Sequence, residues 1–176
     1  MRVIAGTRRG ATLFAPRGRS VRPTSDRVRE ALFSILAPLE GARVLDLFAG
    51  SGALAIESLS RGAARATLVD SSPAAIEAIR RNLASLDLEA EVRRSRALDF
   101  LQRARAGAQQ YDLVFLDPPY RQASRLGERL SNALGPVLAP DARVVTESDR
   151  RAPLELAMPM LDERRYGDTL IRIHGP

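Results

Sequence analysis

An α/β fold on a mostly parallel sheet is the class predicted for this 176-residue chain. Three observations predict it. From Ala42 onward, short apolar stretches alternate with amphipathic ones of helical period, the order that gives parallel strands joined by right-handed crossovers. Leu113-Val114-Phe115-Leu116 is apolar on both sides of the pleat, as a strand covered on both faces must be. A third stretch runs from a strand through Gly50-Ser51-Gly52 directly into a helix, the sequence form of a nucleotide-type loop.

In chain order, residues 1–15 read as a hairpin turning at Thr7-Arg8-Arg9-Gly10, and residues 16–22 as a basic linker. The first helix starts near Thr24 or Ser25, either of which can cap it, with Asp26 in the first turn. Val28, Leu32, Ile35 and Leu36 fall on one helical face, with Arg27, Arg29 and Glu30 off it, and Pro38 and Gly41 end the segment. Strands are expected at 43–48, 66–70, 91–94, 112–116 and 142–147, and helices at 53–61, 73–86, 97–106 and 124–134. Residues 160–165 and 168–174 flank Tyr166-Gly167 as a closing antiparallel hairpin. The expected division is an N-terminal hairpin and basic arm, 1–22, followed by one α/β domain, 23–176.

Composition removes several function classes. There is no Cys, which excludes disulfides, thiol catalysis and zinc-thiolate sites, and the single His174 near the end of the sequence leaves no His triad or metal cluster. No metal is expected. No apolar run reaches the ~18 residues of a membrane span and no signal-type segment follows Met1, so a cytoplasmic protein is expected. All 27 basic residues are Arg, and the net charge of +6 favours a polyanionic partner. Aromatics are only 5%, so any base-stacking platform is small.

The apolar run at 113–116 breaks at Asp117-Pro118-Pro119-Tyr120. Two prolines lack the N–H for a ladder and fix φ, so the strand stops there. This leaves a carboxylate, a rigid turn and an aromatic ring at the carboxyl end of a strand, the edge where open α/β sheets bind ligands. Gly50-Ser51-Gly52-Ala53-Leu54-Ala55 fits G-x-G-x-x-A, and Asp70 lies 20 residues past Gly50, where a carboxylate commonly accepts ribose hydroxyls. Asp46 selects among ligands, because a carboxylate just before the loop repels a pyrophosphate and favours a cationic ligand. S-adenosylmethionine, with an ammonium, a sulfonium and a ribose but no phosphate, suits Asp46 and Asp70 better than NAD. The competing roles are structural: Asp46 as a buried acceptor of loop amides, Asp70 as a cap of the next helix, Tyr120 as a core ring.

Taken together, Arg22-Pro23-Thr24-Ser25-Asp26-Arg27-Val28-Arg29-Glu30, Leu47-Phe48-Ala49-Gly50-Ser51-Gly52-Ala53-Leu54, Ser60-Arg61-Gly62-Ala63 and Asp117-Pro118-Pro119-Tyr120 resemble class I S-adenosylmethionine-dependent methyltransferases. More narrowly, the chain resembles the RsmD-type family, which methylates the N2 amine of one guanine in small-subunit (16S) ribosomal RNA. The glycine loop and DPPY carry only the superfamily; the R-P-T-x-D-R-V-R-E stretch carries the family. The resemblance implies a Rossmann-like, seven-stranded sheet. It implies cofactor contacts from Asp46, Phe48, Ala49, Gly50, Ser51, Gly52, Asp70, Ser71 and Ala97. Arg96-Ala97 departs from the Asp or Asn that many class I enzymes use for adenine, which leaves the Ala97 amide and apolar packing.

An exocyclic amine is a poor nucleophile because its lone pair is delocalised into the ring. Asp117 can accept one amine hydrogen and the Pro118 carbonyl another, Pro119 holds the turn, and Tyr120 can stack on the base. The basic arm, Arg8, Arg9, Arg17, Arg19 and Arg22, together with Arg27 and Arg29, forms the expected RNA-contacting set, with ribosomal RNA or an assembling 30S particle as partner and a monomer as the expected state. The alternatives are a DNA adenine-N6 or cytosine-N4 methyltransferase, which uses the same DPPY chemistry but usually carries a target-recognition region, and a non-catalytic RNA-binding module, which needs neither Asp46 nor Asp117. A dehydrogenase is disfavoured by Asp46 and by the lack of a proton-transfer residue at the site.

Overall fold

Strands β1 (Arg43–Asp46), β2 (Arg65–Asp70), β3 (Glu91–Arg94), β4 (Tyr111–Leu116), β5 (Leu138–Asp149), β6 (Met160–Tyr166) and β7 (Thr169–His174) form one seven-stranded sheet of order β3-β2-β1-β4-β5-β7-β6. The structure is a computed structural model that describes residues 1–16 and 25–176, and of residues 120–125 the backbone alone. Neighbours from β3 through β5 run parallel, and β7 is antiparallel to both β5 and β6. The expected mostly parallel sheet with an antiparallel end is what the chain forms.

Helices α1 (Asp26–Leu36), α2 (Ala53–Ser60) and α3 (Pro73–Ser85) cover one face, and α4 (Ala97–Ala106) and α5 (Tyr120–Leu134) cover the other. Alternation along the strands divides the core accordingly. Val44, Leu68, Phe115, Val145 and Ile171 pack with Leu32, Phe33, Ile56 and Ile79. Leu45, Val69, Val114, Leu116 and Val144 pack with Phe100, Leu101, Leu130 and Leu134. The uninterrupted apolar run of β4 follows from this double coverage.

Several boundaries differ from the sequence expectation. β1 stops at Asp46, so Leu47 and Phe48 belong to the loop, and β5 extends over Leu138–Asp149. α5 begins at Tyr120, directly after the prolines, because Pro119 can occupy the N-cap position without wasting an amide. α1 is capped by Ser25, whose hydroxyl accepts the Val28 N–H at 3.3 Å. Its buried stripe is Val28, Arg29, Leu32, Phe33 and Leu36. Phe33 therefore takes the inward position expected for Ile35, where its ring meets Phe115 at 5.9 Å between centroids, while Ile35 is exposed.

The N-terminal residues make the expected hairpin in shortened form, with Arg2 bridged to Thr12 and backbone bonds from Val3 N to Ala11 O and from Leu13 N to Met1 O, both 2.9 Å. Val3 and Leu13 are buried in the same core as α1–α3. The fully buried Glu57 of α2 accepts the amides of Ile4 at 2.7 Å and Ala5 at 3.0 Å, which satisfies two donors that the short hairpin leaves open.

Candidate active site

β1 has β2 on one side and β4 on the other, so the chain's crossovers diverge at its carboxyl end and open a crevice there. The loop after β1 is held by backbone bonds to both neighbours, Leu47 N to Phe115 O at 3.2 Å and Ala49 N to Val69 O at 3.1 Å. Gly52, at φ +80°, makes the turn into α2, and a Cβ there would lie 2.8 Å from the Leu68 side chain. Gly52, at the N-cap of α2, has no side chain to cap it, and of the first-turn amides that of Ala55 is taken by Asp46. At Gly50 the space is open: an added Cβ would meet only the Phe48 carbonyl, at 3.9 Å. Open space, a helix N-terminus and nearby carboxylates fit a ligand with a carboxylate, an ammonium and a ribose.

Asp46 and Asp70 both stand at this edge and both are buried. Asp46 accepts backbone N–H groups of Ala55 and Phe48; burial, followed by the neighbouring Asp70 charge, raises its pKa to about 7. Asp70 accepts the Gly50 amide at 3.0 Å and the Ser72 amide at 2.8 Å, so it ties the loop to the next turn. Capping of α3 falls to Ser72, whose hydroxyl accepts from Ala75, which leaves Asp70 lone pairs for a ligand. Ser71 is exposed beside it, and Phe48 is half-buried. Ala97 starts α4 with no side-chain cap, and the strand end before it is joined to this edge by Ser95 N to Asp70 O at 3.1 Å. The structure thus gathers Asp46, Phe48 to Gly52, Asp70, Ser71 and Ala97 around one edge.

Asp117 ends β4 at the same edge. It borders a crevice too tight to hold a water molecule, with Leu32, Leu54, Val145, Glu147 and Ile171, and keeps some solvent contact. Its carboxyl titrates well above the usual carboxylate range, first because of burial, then because of the charges of Glu147 and Asp46. Pro118 is buried and Pro119 exposed, while the Tyr120 side chain lies outside the described residues. Glu147 was not among the residues singled out in the sequence. The sequence signal is slight, since Glu147 follows the apolar Val144-Val145 pair but sits among Thr146, Ser148 and Asp149.

The arginines separate. Arg17, Arg19 and Arg22 lie outside the described residues. Arg9 and Arg27 are exposed and border one concave patch with Arg2, Asp26 and Glu30. Arg8 is only half exposed, its guanidinium donating to the carbonyls of Leu86 at 2.6 Å and Asp87 at 3.2 Å. Arg29, expected on an RNA-facing surface, is instead buried. Its guanidinium donates to Arg2 O at 2.6 Å and to Asp26 at 2.7 Å, pinning the hairpin to α1, so it has no surface to offer a phosphate. Asn82 was missed as well. Fully buried, it donates to Ser51 O at 2.8 Å and Phe14 O at 3.0 Å and accepts from Phe14 N at 2.8 Å. The N-terminal segment is therefore stitched to the glycine loop.

A family model described as Conserved hypothetical protein 95 matches residues 1–175. The chain is similar to Ribosomal RNA small subunit methyltransferase D of Escherichia coli K12, at 44% identity over 85% of this chain and 75% of that one. The protein of the same name from Haemophilus influenzae is 36% identical over 88% of this chain and 81% of its own. Among solved structures, a hypothetical protein of Thermus thermophilus superposes with a TM-score of 0.86 at 30% identity, covering 100% of this chain and 99% of that one.

Proposed function

The chain belongs to the Conserved hypothetical protein 95 family, and on that basis we propose that it methylates the exocyclic N2 amine of a guanine in small-subunit ribosomal RNA, with S-adenosylmethionine as donor. One observation carries the reading: Asp117, followed by Pro118-Pro119, ends β4 at the sheet edge that also holds the glycine loop, Asp46 and Asp70. The names of the relatives in Escherichia coli and Haemophilus influenzae supply the substrate class.

The donor supplies an electrophilic methyl group on a sulfonium. Asp46 offers negative charge to the ammonium, the positive N-terminal end of α2 suits the donor's carboxylate, and the remaining lone pairs of Asp70 suit the ribose. The Ala97 amide, at the uncapped start of α4, suits the adenine. On the acceptor side, Asp117 takes one amine hydrogen and the Pro118 carbonyl the other, which turns the nitrogen lone pair outward. Most of the rate gain is then orientation of two bound reactants. Asp117 needs little basicity, because the nitrogen becomes acidic once methylated, and in this reading it takes the released proton.

Nucleoside mass spectrometry tests the reading. Small-subunit RNA from cells lacking the protein should lose one N2-methylguanosine, and the purified protein with S-adenosylmethionine should restore it. An unchanged N2-methylguanosine content, or methylation of DNA adenine or cytosine instead, sinks the proposal.

A further inference from the structure

Strand pairing brings a second carboxylate beside Asp117. Leu116 of β4 pairs with Thr146 of β5, so Asp117 and Glu147 follow at the same level on adjacent chains ~4.8 Å apart. Both lie on the face that Phe115 and Val145 present to α1 and α2, and both line the crevice walled by Leu32, Leu54 and Ile171. Glu147 is 6% exposed. The donor-side residues, Asp46, Asp70 and the glycine loop, belong to β1, β2 and their loops, whereas Glu147 sits on the far side of Asp117 from them.

We infer that Glu147 reads the acceptor base, accepting the ring N1–H while Asp117 accepts the neighbouring amine, and thereby restricts transfer to guanine. The inference rests on the methyl-transfer reading above and deepens it. Guanine presents two adjacent donors along this edge, the N1–H and the N2 amine. Ionised carboxylates only accept, so two side by side match a donor–donor edge. Adenine and cytosine place a ring lone pair next to the amine, and that lone pair would face the Glu147 carboxylate. Such a site rejects the wrong base by repulsion as well as by a missing bond. The raised titration of Asp117, owed first to burial and next to the Glu147 charge, agrees with two carboxylates held close together.

The probe is 2-aminopurine, which keeps the amine at the reacting position but replaces N1–H with a lone pair. It is placed by ligation in small-subunit RNA at the guanine that nucleoside mapping identifies. For the unaltered enzyme, kcat/KM on the guanine RNA should exceed that on the 2-aminopurine RNA by roughly 100-fold, the loss expected when a charged acceptor is left facing no donor. Glu147→Gln can turn its amide NH2 toward the 2-aminopurine lone pair, so its ratio should collapse toward one. Its affinity for S-adenosylmethionine in calorimetry should stay within about twofold, which reports an intact fold. Glu147→Gln with intact cofactor binding and an undiminished guanine preference overturns the inference. So does an unaltered enzyme that methylates both RNAs equally, an outcome that needs no folded variant. Failure of the unaltered enzyme to methylate the guanine RNA at all removes the methyl-transfer reading, and this inference with it.

Discussion

Asp46 and Asp117 lie at the ends of adjacent strands under the same helices, but their neighbours differ, and so do the roles proposed for them. Asp46 has a folded pKa of about 7, raised by burial and by Asp70, with the Phe48 and Ala55 amides and the nearby Asp117 as its other neighbours. A raised carboxyl pKa means that the fold favours the neutral form. The stability this contributes is fully present below the ordinary carboxylate range and is lost as pH rises through about 7. A cationic ligand end favours the ionised form, so S-adenosylmethionine affinity should rise as pH climbs through about 7, with proton release on binding. Calorimetry in buffers of different ionisation enthalpy measures that release; its absence would remove Asp46 from the ammonium site. The role proposed for Asp117 is on the acceptor side. Asp117→Ala should abolish methyl transfer with cofactor affinity nearly intact, and Asp117→Asn should retain partial activity because an amide oxygen still accepts. Since the ionised carboxyl is the stronger acceptor and cannot turn an O–H toward the amine, kcat/KM should rise with pH along a limb lying above the usual carboxylate range. Activity of Asp117→Ala equal to that of the unaltered enzyme would end the proposed mechanism.

The decisive elements are the loop between β1 and α2 and the N-terminal segment bound to it. Residues 1–22, read from sequence as a separate arm, begin with a hairpin whose Val3 and Leu13 belong to the main core. Asn82 of α3 then holds Phe14 and Ser51 at once, so the arm and the loop share one fully buried side chain. Asn82→Ala leaves the Phe14 amide and two carbonyls without that partner, and should cost about 2–4 kcal/mol of unfolding free energy. Because Ser51 lies in the loop, the same variant should also weaken S-adenosylmethionine binding. Urea titration and calorimetry report the two effects separately. Lost stability with unchanged cofactor affinity would show that the tie serves the fold alone.

For the molecule as a whole, the charge of +6 is not spread evenly over the expected RNA-contacting residues. Arg29 is spent inside the protein and Arg8 is bonded to the end of α3 and the turn after it, while Arg9 and Arg27 remain on one exposed patch. Replacing Arg9 and Arg27 by Gln should lower affinity for ribosomal RNA and flatten the log–log salt slope by roughly 0.7 per lost phosphate contact on single-stranded RNA. Filter binding across a salt series measures the slope, and calorimetry should show cofactor affinity unchanged, since neither side chain touches the glycine loop. Equal slopes for both proteins would place the RNA surface elsewhere.

Order and type of the main elements were legible because they are local properties. Apolar alternation marks strands and helices, Asp117-Pro118-Pro119 marks a strand end, Ser25 marks a helix start, and glycines mark the ligand loop. These also sufficed to single out Asp46, Asp70 and Asp117, each written next to a strand end or loop that announces itself. Glu147 as the neighbour of Asp117, Asn82 as the link between arm and loop, and Arg29 as an interior guanidinium were decided only in three dimensions. Each depends on which strands pair, in what register, and on which helix face meets the hairpin. Those relations join residues between 27 and 68 positions apart, as from Arg2 to Arg29 and from Phe14 to Asn82. Local periodicity carries no record of such distances, whereas the burial of apolar faces on both sides of one sheet determines them.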